Sequence, residues 1–145
     1  MEYLHENHLA RFRDNVRNCP PTDYQSYEKI LLRFINQDSS QDQWFLPVPL
    51  EGSPPRVNTL SDADRLNTCE GFSVSFNNTG SGQLNSFIAT KARLIRQKKW
   101  TAIGEVQIKP TDGVGEIKQM DYDHVNFHPF ADVDWGIMKI HNINL

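Results

Sequence analysis

The chain lacks most of the features that identify a class of function directly. It has only two cysteines, Cys19 and Cys69, among 145 residues. These provide neither a disulfide framework nor the paired spacing of a zinc site, so we expect reduced, half-buried thiols. No apolar run approaches the ~18 residues of a membrane span, and residues 1–6 lack the basic start and apolar core of a signal peptide. We therefore expect neither a membrane protein nor an exported one.

An excess of positive charge is absent as well. The net charge is −3 and the pI about 5.9, whereas dedicated nucleic-acid binders usually carry a basic stripe. Basic residues do crowd the stretch 91–99, which fits either an anion-binding patch or a solvated helix end. The acidic balance of the whole chain favours the helix end, so no specific nucleic acid is expected as a partner.

What the chain does have is the composition of a globular protein. Hydrophobic residues make up 38% of it and charged residues 23%, which is too apolar for a disordered chain. The length is near that of a typical single domain with one core. We expect an N-terminal helical arm over residues 1–21 and a single α+β domain over residues 22–145.

Apolar residues at helical spacing predict three helices, over residues 2–18, 22–36 and 83–98. The first has a thin apolar stripe and is expected to be an arm that packs on a partner. The second begins with a capping box, in which Thr22 is the N-cap and Gln25 follows three residues later.

Alternating apolar residues predict four strands, over residues 44–50, 72–76, 100–110 and 132–145. The last is apolar on both parities, as in a strand inside a sheet that helices cover. Residues 115–131 look irregular. The predicted fold class is α+β, with a leading helix and then the order α-β-β-α-β-β, forming an antiparallel or mixed sheet with helices packed on one face.

Two prolines, Pro47 and Pro49, fall on the same parity of the first predicted strand. Their missing N–H donors therefore lie along one side, which predicts an edge strand with that side turned away from the sheet. In the loop that follows the third strand, Phe127 and Phe130 are expected to anchor an interface. The alternative is that these two rings form a small satellite core beneath the loop.

Polar residues of catalytic type concentrate between Asp121 and His141. His124 and His128 are four apart, the spacing of a metal pair on a helix. Pro129 disfavours a helix at that point, because the residue before a proline avoids the helical region. We therefore expect no metal site, and no cofactor motif is present.

A small toxin-type ribonuclease is one enzymatic alternative. Glu105 as base and His141 as acid supply the groups for general acid–base cleavage, with Lys109 or Lys118 as the oxyanion partner. The competing interpretation is that these are ordinary outward-facing strand residues.

A cysteine peptidase is the other enzymatic alternative. The run from Cys69 to Phe72, Cys-Glu-Gly-Phe, is similar to the Cys-Ser-Gly-Phe element of cell-wall amidases, with His124 as the base. In those enzymes the cysteine opens a helix. Here it precedes a predicted strand, which argues against the assignment.

The order of elements resembles that of the tail-terminator (tail-completion) proteins of long-tailed bacteriophages. The likeness covers about residues 22–145 and rests on layout rather than on a signature motif. The segments that carry it are an opening helix, a first strand, a second strand, a second helix and a closing strand, at residues 24–34, 44–50, 71–76, 83–98 and 134–140.

The resemblance implies a non-enzymatic virion protein that is made in the host cytoplasm. Such proteins assemble as hexameric rings on the tail tube, end its growth and present a face to the head–tail connector proteins. The family has no catalytic residues to carry over. An immunity or anti-defence protein that acts by binding is the further alternative.

Overall fold

The centre of the molecule is a six-stranded antiparallel sheet in the order β4-β5-β2-β1-β3-β6. The computed structural model describes residues 3, 4, 18–47, 50, 51, 69–78, 81–116, 124–136 and 138–145. The strands are β1 (Lys29–Ile35), β2 (Val74–Asn77), β3 (Ala102–Ile108), β4 (Gly113–Gly115), β5 (His124–Pro129) and β6 (Lys139–Asn142). The helices are α1 (Leu84–Thr90) and α2 (Ala92–Lys98). The mixed α+β class is therefore confirmed.

The helix predicted over residues 22–36 is wrong, because β1 occupies its apolar part. This strand pairs with β3 along its whole length and lies inside the sheet. Leu31 is buried on one sheet face, and Leu32 and Phe34 are buried on the other. A strand covered on both faces carries apolar residues at both parities. Some of the apolar residues of such a strand also match helical spacing, and for this reason the sequence predicted a helix over residues 22–36.

Arg33 is a charged residue in the middle of the apolar part of this strand. Its guanidinium donates to the backbone carbonyls of Trp44 at 2.5 Å, Ser75 at 2.6 Å and Leu46 at 3.0 Å. The carboxylate of Glu51 lies 3.6 Å away. Burial lowers the pKa of Arg33, and Glu51 partly offsets that shift. The side chain thus attaches the segment after β1 to the middle of the sheet.

The edge strand predicted over residues 44–50 is wrong over residues 44–47, which form a turn and an irregular segment. The carbonyls of Trp44 and Leu46 accept from Arg33 instead of from a neighbouring strand. Pro47 is buried, whereas Pro49 lies outside the described residues.

Each sheet face carries its own apolar cluster. One cluster lies on the face away from α1 and α2, here called the open face because no α-helix covers it within the described residues. It contains Leu31, Phe45, Val74, Phe76, Val106, Ile108, Val125 and Phe127. The cluster on the face that α1 and α2 cover, here called the helix face, contains Leu32, Phe34, Phe87, Ile88, Ile95 and Ile103. The predicted helix over residues 83–98 is confirmed, with a break at Lys91 between its two halves. The strands predicted over residues 72–76 and 100–110 correspond to β2 and β3.

Two strands occupy part of the stretch 115–131, which the sequence predicted to be irregular. Every second residue of β5 is polar, yet Asn126 and His128 are 8% and 2% exposed. They lie on the helix face, because Val125 and Phe127 belong to the cluster on the open face. The alternating polar residues of β5 are typical of a loop in the sequence, although two of them are buried in the sheet. Residues 117–123 lie outside the described part of the chain.

The long interior strand predicted over residues 132–145 is also wrong. Only β6 pairs, and it lies at the edge of the sheet. The preceding residues lie across the open face, where Trp135 and Met138 pack on the apolar cluster. Residues that cover a core face without pairing in the sheet must also be apolar. Their apolar side chains gave residues 132–145 the pattern of a strand.

Cys19 and Cys69 form a disulfide, so the expectation of reduced thiols is wrong. The bond connects the end of the predicted N-terminal arm to the segment before β2. The leading helix predicted over residues 2–18 lies almost wholly outside the described residues, in which Tyr3 forms a β-bridge with Phe130. Among the helices that are described, none is long and apolar enough to cross a membrane.

Candidate functional site

Three charged or titratable side chains meet on the helix face where β3 pairs with β6: Glu105, Lys139 and His141, here called the acid–base cluster. Glu105 lies directly opposite Lys139, and His141 lies opposite Ile103. Ile103 belongs to the apolar cluster beneath the helices. All three polar side chains therefore project from the same face of the sheet.

The Glu105 carboxylate lies between the imidazole of His141 and the ammonium group of Lys139. His141 Nε2 is 3.3 Å from Glu105 Oε1, and Lys139 Nζ is 4.0 Å from Glu105 Oε2. An ionised carboxylate only accepts hydrogen bonds, so Nε2 of His141 is the donor. The cluster thus contains a proton acceptor in contact with a proton donor.

The surroundings of the cluster are apolar on one side and open on the other. Leu32, the residue of β1 opposite Glu105, is fully buried. The side chains of Glu105, His141 and Lys139 are 11%, 31% and 76% exposed. The carboxylate is consequently mostly sheltered, and the side chains of His141 and Lys139 are within reach of a solute.

The sequence named Glu105 and His141, and the fold brings them together. Lys109 lies elsewhere, with Nζ 3.2 Å from Asp112 and donating to the carbonyl of Asp134 at 2.8 Å. Lys118 lies outside the described residues. Lys139, which the sequence reasoning missed, takes the cationic position. The signal was its spacing of two from His141, which places both on one face of a strand.

A second cluster, here called the disulfide cluster, contains Cys19, Cys69 and His128. Nε2 of His128 lies 3.5 Å from Sγ of Cys69. The imidazole is 2% exposed, and its ring is 6.2 Å from the ring of Tyr3 and 5.7 Å from that of Tyr24. Residues far apart in the chain thus converge on one buried histidine.

A buried polar network lies beside this cluster. The hydroxyl of Tyr24 donates to Glu116, Asn126 Nδ2 donates to Glu116 at 3.0 Å, and Ser73 Oγ donates to Asn126 at 3.2 Å. Burial and then Glu116 raise the pKa of Tyr24, and the same two causes raise the pKa of Tyr27. The hydroxyl of Tyr27 and Oε2 of Glu116 are buried and have no hydrogen-bond partner among the described residues.

His124 does not share a site with His128. It lies on the same face of β5, where its Nε2 is 3.2 Å from Ser75 Oγ. Four residues of strand separate the two histidines by roughly 13 Å, too far for one metal ion. The peptidase hypothesis also named His124 as the base for Cys69, but His128 takes that place, and Cys69 is disulfide-bonded.

The predicted interface residues are mostly not at the surface. Phe127 is fully buried in the cluster on the open face, so within the chain it packs in the core and its role as an interface anchor stays a prediction. Phe130 is half-buried, with its ring 5.6 Å from that of Tyr3. Pro47 is buried, and Pro49 lies outside the described residues.

Comparison of the chain with family models, with curated proteins and with solved structures gives no match.

Proposed function

We propose that the protein cleaves RNA by general acid–base catalysis at the acid–base cluster. The observation that carries the proposal is the 3.3 Å contact between the partly exposed His141 and the more buried Glu105. Lys139 adds the positive charge that a phosphoryl group requires. A carboxylate, an imidazole and an ammonium together supply a base, an acid and a charge-stabilising group.

In the proposed reaction, Glu105 accepts the proton of a ribose 2′-hydroxyl, and the 2′-oxygen forms a bond to the adjacent phosphorus. The bond from phosphorus to the 5′-oxygen breaks as His141 donates its proton to that oxygen. The products are a 2′,3′-cyclic phosphate and a 5′-hydroxyl. The nucleophile restricts the substrate to RNA, because DNA has no 2′-hydroxyl.

Entry of the phosphate separates Glu105 from His141, since the two groups touch in the free protein. Lys139 is 76% exposed, so its side chain is free to follow the phosphate. Catalytic contacts in a free enzyme need not have the distances of the substrate complex.

The basic residues of α2 support binding of a polyanion. Arg93, Arg96 and Lys98 are exposed, as is Lys99 just beyond the helix. Ile95 of α2 packs in the apolar cluster of the helix face, so these cations belong to the same side of the sheet as Glu105. Contacts of this type would make binding weaken as salt rises.

The test is cleavage of a fluorogenic RNA oligonucleotide by the purified protein. Glu105→Gln and His141→Ala should each reduce the rate by about 100-fold or more, and the parent should show a bell-shaped pH profile. Lys109→Met is the matched control, because it removes an ordered cation outside the cluster. Thermal melts establish that each variant is folded. A parent protein with no activity on RNA, or a folded His141→Ala variant with the parental rate, would overturn the proposal.

A tail-terminator-like assembly protein is the second candidate, and the free edge at β6 favours it. Within the described residues no strand pairs with the outer side of β6. Ile140 and Leu145 are 41% and 58% exposed. An unpaired edge with apolar neighbours can add a strand from another subunit. The proposed assembly is a hexameric virion ring that contacts the tail tube and the head–tail connector.

Light scattering on the purified chain tests the ring. A closed hexamer, or tubes at high concentration, would support it. A strict monomer that cleaves RNA and loses that activity on His141→Ala would exclude it.

A further inference from the structure

The disulfide cluster contains a histidine in addition to the two cysteines, and a disulfide alone does not require one. One ligand atom from each of Cys19, Cys69 and His128 lies within 4.8 Å of the other two. Two cysteines and one histidine form a known zinc ligand set, which leaves the fourth position to water or substrate. The three residues come from separate segments of the chain, so the fold, and not a local motif, places them together.

His128 is fixed in position by its surroundings, as a metal ligand requires. It is 2% exposed, and it lies in a strand whose backbone pairs on both sides. The rings of Tyr3 and Tyr24 lie close to it, and its Nε2 lies towards the sulfur of Cys69. Packing and backbone pairing therefore fix the imidazole, as the outer shell of a metal site does.

The two cysteines are less buried than the histidine. Cys19 and Cys69 are half-buried, whereas His128 is buried. Reduction of the bond therefore involves the two less buried members of the cluster.

We propose that Cys19, Cys69 and His128 form a zinc site that is closed in the disulfide state and opened by reduction. A dithiol reductant transfers two electrons and two protons to the Cys19–Cys69 bond, which yields two thiols and the oxidised reductant. Zn²⁺ then displaces the two thiol protons and binds two thiolates and Nε2 of His128. Two thiolates neutralise the charge of the ion, which favours binding at a partly buried position.

This site is distinct from the acid–base cluster. His128 lies on β5, whereas Glu105 and His141 lie on β3 and β6 at the other end of the sheet. The two proposals therefore fail or succeed independently, and RNA cleavage is not a readout for zinc binding.

The test uses the full chain, reduced with a phosphine and titrated with Co²⁺ or Zn²⁺ without oxygen. Cobalt reports thiolate ligands through its charge-transfer absorption, and competition with a chromophoric chelator gives the affinity and stoichiometry for zinc. The reduced parent should bind one ion per chain, and the disulfide form should bind none at this site. His128→Gln should weaken binding by about tenfold or more.

His124→Gln is the matched control, because His124 lies on the same strand and face but contacts Ser75. It should bind the ion with the parental affinity. A reduced parent that binds neither ion overturns the proposal. Equal binding by His128→Gln and His124→Gln also overturns the proposal, because the affinity would then not depend on His128. An unfolded reduced chain, in which the site is not formed, would give that result. Circular dichroism before and after metal addition identifies that case.

Discussion

At the scale of single residues, the two phenols near Glu116 determine how the fold responds to alkaline conditions. Tyr24 donates to Glu116, and the hydroxyl of Tyr27 is buried with no hydrogen-bond partner in the described part of the chain. The pKa of each phenol is raised, by burial first and by the carboxylate second. The folded chain therefore retains both protons at a pH where free tyrosine has lost them.

We predict that the stability of the fold falls as the pH rises above about 10. Below the ordinary tyrosine pKa of about 10, folded and unfolded chains both keep the phenolic protons, so Tyr24 and Tyr27 contribute no pH dependence. Above that value the unfolded chain binds fewer protons than the folded chain, and the free energy of unfolding decreases with pH. Urea unfolding at several pH values, together with phenolate absorbance, measures the effect.

The variants of these tyrosines separate the two contributions. Tyr27→Phe should leave stability at pH 7 nearly unchanged, because no protein hydrogen bond is lost. Tyr24→Phe should cost about 1 kcal/mol at pH 7, since its bond to Glu116 is lost. The double variant should have a flatter pH dependence above pH 10. The same slope in parent and double variant would contradict the assignment.

At the scale of elements, strand β4 depends on two glycines. A Cβ atom at Gly113 would lie 2.8 Å from the Cα atom of Pro129 and would also strike the carbonyl oxygen of His128. A Cβ atom at Gly115 would overlap the ring of Tyr27. Backbone and a packed ring thus lie directly against the strand, and only glycine leaves room for them.

We predict that Gly113→Ala and Gly115→Ala each cost about 1–3 kcal/mol of stability, the usual range for overpacking. Gly82→Ala is the control, because nothing in the described part of the chain, its two neighbours aside, lies within 4 Å of the position of its Cβ. It should change stability by less than about 0.5 kcal/mol. Urea midpoints of the three variants decide the matter, and equal midpoints would show that β4 adjusts freely.

β2 and the helical pair, two of the elements that could be predicted from the sequence, have a plain apolar pattern. β2 shows plain alternation, and the helical pair between residues 83 and 98 shows one apolar stripe. β1 could not be predicted, because both of its faces are buried and period-2 and helical patterns then coincide. The last segment failed for a related reason, since Trp135 and Met138 pack on the sheet without pairing in it.

The acid–base cluster and the disulfide cluster also differ in how far they could be predicted from the sequence. Glu105 and His141 were predictable as candidates from residue type and position in strand-like segments, although their contact depends on the pairing of β3 with β6. The disulfide cluster was not predictable. Cys69 lies 50 residues from Cys19 and 59 residues from His128, and no local spacing indicates contacts between such distant residues.

At the scale of the whole molecule, the disulfide restrains a long part of the unfolded chain. Its two cysteines are separated by 50 residues in the sequence. Closing a loop of that size removes about 4 kcal/mol of unfolded-chain entropy in the simple chain-entropy model. The bond is thus a large contribution for a domain whose net stability is typically about 5–15 kcal/mol.

We predict that the Cys19→Ser, Cys69→Ser double variant is about 2–4 kcal/mol less stable than the oxidised parent. The reduced parent, in a buffer without metal, should resemble the double variant. Urea unfolding of the three samples measures the difference. A loss below about 1 kcal/mol would show that the bond constrains little of the unfolded chain.

The central position of β1 has a consequence for synthesis of the chain on the ribosome. Ile35 pairs with Ala102 and Lys29 with Ile108, so β1, the first of the described strands, waits for its main partner roughly 70 residues later. At ~5–20 residues per second, this delay is roughly 4–14 seconds. During that interval the nascent chain displays an apolar segment whose two faces both belong in the interior. A strand that lies inside the finished sheet is therefore exposed to chaperones and to aggregation while the protein is being made.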